Sequence, residues 1–245
     1  MSSSSSRDAH FYTTQWSLVR NARSLDGDES RAALQGLCQR YWYPLYAYLR
    51  RQGCTVEDAQ DITQDFIASL LRKNSISRAA PEMGRFRAFL LGSLKKFVVD
   101  WRRRAAAKKR GGDCTLFSLD CQAAESRYRQ EPIDCLTPEL IYHRRWALTL
   151  INSAVDNVAA DYQRREKSAL FSALRGHLDG NQDRIPLAEL VTKLGMTEGA
   201  IKVAAHRLRQ RYRDELRRLI ANTVSSPEEV ADELAELFRA VGRRG

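Results

Sequence analysis

Residues 187–216 read LAELVTKLGMTEGAIKVAAHRLRQRYRDEL, and no other stretch of the 245-residue chain narrows the fold so far. Leu187, Leu190, Val191 and Leu194 make a short apolar face. Gly195 then supplies a tight turn, since glycine adopts left-handed backbone at little cost. Thr197 is a good N-cap for a second helix. Ile201, six residues after the glycine, falls where a helix-turn-helix buries an aliphatic side chain between its helices. The second helix divides by face. Ile201, Ala205, Leu208, Tyr212 and Leu216 point inward, while Lys202, His206, Arg209 and Arg213 line another side at i, i+4 spacing. Such a stripe suits a helix in the DNA major groove. Its first turn would lie near base edges, and the later arginines of the stripe near phosphates. The plainer reading is a solvated basic face on a structural hairpin, but glycine, cap and aliphatic spacing together favour DNA binding.

The rest of the chain is also read as helical. Leu34, Leu37, Tyr41, Leu45, Tyr48 and Leu49 recur at three and four, a pattern that Pro44 is expected to disturb. Ala59, Ile62, Phe66 and Leu70 line a second helix over about 56–72, and Phe86, Phe89, Leu90, Leu94, Phe97, Val98 and Trp101 a third over about 84–105. Thr137-Pro138-Glu139 opens another with a cap, a first-turn proline and an acid at the positive end of the helix dipole. Leu148, Ile151, Val155, Val158 and Tyr162 continue it, and a shorter helix follows near 166–178. Strand signals are sparse, so the expected fold class is all-α.

Charge divides the chain. The formal net charge of +10 points to a polyanionic partner. Residues 84–112 hold ten Lys and Arg against one acid, Asp100. Residues 113–139 hold six acids against two arginines, with three cysteines and no sustained periodicity, and read as an acidic linker. Two helical domains on either side of it are expected. Against this background, TVEDAQDITQDF at 55–66 stands out, because no Lys or Arg occurs between Arg51 and Arg72. The helix dipole accounts for Glu57 and Asp58 in a first turn, but not for Asp65. An acidic face excludes DNA phosphate and suits a basic groove on a protein.

In the basic stretch, Lys95, Lys96, Arg102 and Arg103 would attract phosphate. Phe97 and Trp101 offer flat surfaces for unpaired bases, although both continue the apolar stripe and are better read as core. The order of these parts, EDAQDITQDF, then GRFRAFLLGSLKKFVVDWRRR, then an acidic linker with FSLD, then LGMTEGAIKVAAHRLRQRYR, resembles the sigma-70 family of bacterial RNA polymerase sigma factors. The likeness is to the small extracytoplasmic-function type and covers about residues 30–222. It implies that 30–111 is sigma region 2, 112–138 the linker, and 139–222 region 4 with its helix-turn-helix. Residues 1–29 and 223–245 are extensions. The resemblance further implies that Asp58, Asp61, Gln64 and Asp65 dock on the clamp helices of core RNA polymerase. Lys95, Lys96, Trp101, Arg102 and Arg103 would serve the minus-10 element of promoter DNA. Thr197, Glu198, Lys202, His206, Arg207, Arg209 and Arg213 would serve the minus-35 element, with region 4 also touching the polymerase flap. Two departures are plain: Lys95-Lys96 stands where many members have Arg-Asn, and Val191 where alanine is usual.

A subunit of this kind has no active site, cofactor or metal of its own, and an anti-sigma factor is a further candidate partner. A helix-turn-helix regulator that never joins polymerase would explain 187–216 but leave the acidic helix idle. A metal-dependent nuclease using Asp58, Asp61 and Asp65 lacks a nearby histidine or phosphate clamp on that helix. Cys114, Cys121, Cys135 and His143 match no zinc-site spacing. Five cysteines without a CxxC pair, and an opening MSSSSSRDAHF without an apolar signal core, point to reduced thiols in a cytoplasm. No run is long and apolar enough for a membrane helix. SSPEEVADELAELFRAVG reads as a capped amphipathic helix with Val230, Leu234 and Leu237 on one side.

Overall fold

The computed structural model describes residues 28–72, 85–107, 121–129, 136–178, 185–224 and 226–242, and among them the chain is helical with no strand. The serine run, Lys108 to Arg110, the FSLD segment at 117–120, Cys114 and Cys135 lie outside the described residues.

Helix α1 (Asp28–Arg51) runs through Pro44 without a break. A proline inside a helix costs about 3 kcal/mol, so packing has to outweigh it. It does so here, because Tyr41, Trp42, Leu45, Tyr46, Ala47, Tyr48 and Leu49 are all buried. The helix closes on Gly53 at φ +85°, whose N–H reaches the Arg50 carbonyl at 3.1 Å while the Cys54 N–H reaches that of Leu49 at 3.1 Å. Thr55 Oγ1 accepts the Asp58 N–H at 3.1 Å and opens α2 (Val56–Arg72). Ala59, Ile62, Phe66 and Leu70 of α2 are buried as expected. Helix α3 (Phe86–Ala107) buries Phe86, Leu90, Leu94 and Val98. Phe97 is partly buried, its ring edge-on to Phe66 at 5.5 Å between centroids, which assigns it to packing.

Within the expected acidic tether lies a helix, α4 (Cys121–Arg129), seated on α1. Its anchor is Glu125, which accepts hydrogen bonds from the Tyr46 hydroxyl at 2.7 Å and from Arg50 Nε and Nη2, each at 3.1 Å. Burial would raise the Glu125 pKa, but these bonds and one from Arg129 override it and hold the carboxyl below its ordinary range. A nine-residue helix anchored by a carboxylate leaves little apolar periodicity to read.

Helix α5 (Pro138–Arg164) begins as its sequence dictates, with the Leu140 N–H on Thr137 Oγ1 at 3.3 Å and proline at the first position. Its two halves enter different cores. Ile141, Tyr142, Trp146, Ala147, Leu150 and Ala154 pack with α1, α2 and α3. Val155, Val158 and Tyr162 pack with α6 (Ser168–Leu174), α7 (Leu187–Leu194) and the first half of α8 (Glu198–Ala221). Helix α8 is divided likewise, since Leu216, Leu219 and Ile220 rejoin the first core. Helix α9 (Glu229–Gly242) covers that core with Leu237. The expected division at 112–138 is therefore not a boundary of the buried core, and the most extensive helix contact joins α1 to α5. Periodicity marks an apolar face without saying what will cover it. No described helix is long and apolar enough to cross a membrane.

Candidate nucleic-acid and protein interfaces

The helix-turn-helix is built from local chemistry. Gly195 ends α7 at φ +62°, its N–H on the Val191 carbonyl at 3.0 Å. Thr197 caps α8, its Oγ1 accepting the Ala200 N–H at 3.3 Å. Ile201, Ala205, Leu208 and Leu216 are buried and Tyr212 half-buried, so the inward face is the one expected. Lys202, His206, Arg209 and Arg213 are exposed together on another face. Lys202 Nζ lies 2.6 Å from Glu198, an exposed pair that costs little to break. Arg209 Nε bonds its own helix at the Ala205 carbonyl, 3.3 Å away. His206 and Arg213 have no ion pair among the described residues. Thr197 is also exposed.

Arg207 departs from the stripe. At 100° per residue it stands far round the helix from Lys202 and Arg213. There it lines a groove of about 410 Å³ with Gly199, Ala200, Val203, Ala204 and Arg211. It belongs with that groove, whose floor is apolar and whose rim is basic.

On α3, Lys95, Lys96, Arg102 and Arg103 are all exposed along one strip, with half-exposed Val99 among them. Trp101 is partly buried and packs on the core beside the strip. Lys96 is unpaired among the described residues, while Arg103 lies 3.9 Å from Asp100. Lys95 differs. Its Nζ donates to Glu139 Oε1 at 2.7 Å, across from the start of α5. That bond holds the lysine above and the glutamate below their ordinary pKa values.

On α2, Asp58 and Asp61 are exposed and Gln64 and Asp65 half-buried on one side. Among the described residues none of the three carboxylates is paired with Lys or Arg. The Asp61 pKa is raised, first by partial burial and then by Asp65, Asp58 and Glu57. A cationic partner would relieve that repulsion.

Sequence reading missed a buried charge cluster. Arg87 is 5% exposed and Glu233 is 0% exposed. They meet through Nε at 2.7 Å and Nη2 at 2.9 Å. Arg85 Nε lies 3.0 Å from Glu233, and Glu236 also contacts both arginines. Arg87 Nη1 is 2.7 Å from His143 Nδ1, and its guanidinium lies 4.6 Å over the Trp146 ring. Arginine only donates, so His143 accepts at Nδ1 and is neutral. Burial and the Arg87 charge push its pKa down to about 4. This contact occupies the one histidine that the sequence set beside the cysteines. The signal for the cluster was present in the sequence. Glu233 sits in phase with Val230, Leu234 and Leu237, and Arg87 with Leu90, Leu91 and Leu94. Two opposite charges on apolar stripes are candidates to find each other.

Neither protein-family models, nor curated proteins, nor solved structures yield a match to this chain.

Proposed function

We propose that the protein is a promoter-specificity subunit of bacterial RNA polymerase of the sigma-70 type, with no active site of its own. The observation that carries this reading is the presence, on one helical molecule, of an unpaired acidic face on α2 and an exposed basic stripe on a capped helix-turn-helix. A DNA-binding protein gains nothing at phosphate from Asp58, Asp61 and Asp65. A protein that must also hold a basic groove of a partner does.

On this reading Asp58, Asp61, Gln64 and Asp65 dock on the polymerase clamp helices. The α3 strip of Lys95, Lys96, Arg102 and Arg103 meets the downstream promoter element, with Trp101 beside the melted strand. The stripe of Lys202, His206, Arg209 and Arg213 meets the upstream element, and the polymerase flap lies against the same half of the chain. The two-module arrangement of residues 30–111 and 139–222 belongs to this proposal. The test is reconstitution with core polymerase on a genomic promoter library. Discrete transcript starts preceded by shared elements are expected only when the protein is added. No co-elution with core and no new starts would overturn the reading.

A further inference from the structure

The groove beside Arg207 combines two kinds of chemistry. Leu170, Met196, Ala200, Val203 and Ala204 line it as an apolar floor. Val203 is 49% exposed, one of three large apolar side chains left so open among the described residues. The cations Arg165, Lys167, Arg207 and Arg211 line it as well, and no acid does. Asp161, outside the lining, engages Arg165 and Arg211, but Lys167 and Arg207 have no ion pair among the described residues. Between α5 and α6 the chain turns at Glu166, whose φ of +57° is the left-handed value that glycine adopts at less cost. That turn brings Arg165 and Lys167 to the groove from one side, while α8 supplies Arg207 and Arg211.

Possible occupants differ in what they would cover. A duplex along the Lys202–Arg213 stripe does not reach the groove, because Val203, Arg207 and Arg211 stand about 100–180° round α8 from Lys202. A second duplex would meet the cations but leave the apolar floor in water. A second copy of this chain offers no match among the described residues. The carboxylates of α2 have no large exposed apolar side chain beside them, Val99 lies among Lys and Arg, and Phe238 is flanked on its exposed side by Ala235 and Arg239. A helix with an apolar ridge bordered by carboxylates would cover floor and rim together.

We propose that this groove docks an acidic amphipathic helix of a partner protein separate from core polymerase, with bulky apolar side chains on the Val203 floor and carboxylates on Lys167 and Arg207. The groove faces away from the stripe, so the partner can be held while the stripe is on DNA. The inference goes beyond the promoter reading and does not depend on it.

The test is selection on the full chain from a displayed library of random peptides of about 16 residues, long enough for roughly four helical turns. Recovered peptides should be net acidic, with apolar residues at i, i+3 or i+4, and i+7. The strongest binder is then synthesised and titrated by fluorescence anisotropy. Val203→Asp with Arg207→Glu, both at exposed positions, should weaken it by at least about tenfold. Lys202→Ala with Arg213→Ala should leave it within about twofold, and a short DNA duplex should not displace it. If the groove variant misfolds by circular dichroism, Arg207→Ala alone decides in the same direction. Recovery of no acidic amphipathic peptide overturns the proposal. So does a peptide that binds the folded groove variant as tightly as wild type, or one that the stripe variant or DNA displaces, since either shows only general attraction to a basic protein. Displacement of the peptide by core polymerase would assign the groove to the polymerase and overturn the separate partner.

Discussion

Replacing Arg87 with methionine removes the cation on which Glu233 depends, and its cost can be worked out from the contacts. Breaking a buried pair by deleting one partner costs about 3–5 kcal/mol, because the remaining charge is stranded. Here Arg85 Nε stays 3.0 Å from Glu233 and recovers part of that. The stacking of Arg87 over Trp146 is lost as well, at about 1–2 kcal/mol for a desolvated site. Arg87→Met should therefore destabilise by about 3–4 kcal/mol in total. Glu233→Leu should cost less, about 2–3 kcal/mol, since Glu236 still reaches Arg87. The double variant is the informative one. Both positions lie on apolar stripes, so methionine facing leucine should leave stability within about 1 kcal/mol of wild type. The assay is urea unfolding followed by circular dichroism at neutral pH, with the m-value checked for constancy across the four proteins. The cycle should give a coupling of at least about 3 kcal/mol. Single variants that each cost under about 1 kcal/mol, or a double variant equal to their sum, would refute the account of the cluster.

Three further outcomes are expected. Asp61→Arg with Asp65→Arg should abolish co-elution with core polymerase, by several kcal/mol of apposed like charge, while the thermal midpoint holds or rises because mutual repulsion on α2 is relieved; wild-type co-elution of the folded variant would remove the docking assignment. Lys202→Ala should relax sequence preference at one position by about 1–3 kcal/mol, and Arg209→Ala should weaken all sequences alike and lower the salt slope by about one unit, both read by DNA-binding titration. Stability should fall with acidification through His143: its folded pKa, about 4, lies below the ordinary 6.5, so the unfolded chain binds the proton more readily. That contribution is complete above about pH 6.5 and is lost toward pH 4, and His143→Phe should flatten the unfolding profile in this window specifically.

Much of the secondary structure was legible because its causes are local. The expected span of 56–72 is that of α2, Thr137-Pro138 opens α5, and Gly195, Thr197 and Ile201 shape the helix-turn-helix. Each depends on a cap, a turn or a spacing of a few residues, and the acidic face of α2 and the basic stripe of α8 follow from the same periodicity. The position of Arg207 off that stripe was legible too, from its angle on the helix.

What lay beyond the sequence was the choice of partner for each face. Tyr142 and Trp146 mark α5 as amphipathic, yet nothing in their spacing says that α1 will cover them. The Pro44 helix continues because seven surrounding residues are buried by elements far along the chain. Glu125 makes a docked helix out of part of an acidic tether only because Tyr46 and Arg50 stand opposite. Lys95 looked as free as Lys96 until α5 brought Glu139 to it, and Glu233 lay on the apolar side of its helix with nothing local to say that Arg87 would meet it there. Local sequence sets backbone hydrogen bonding and the angular order of side chains over a few turns. Contacts between residues 44 to 146 positions apart are set by which packed arrangement leaves the fewest apolar faces and charges uncovered. That is a property of the whole chain.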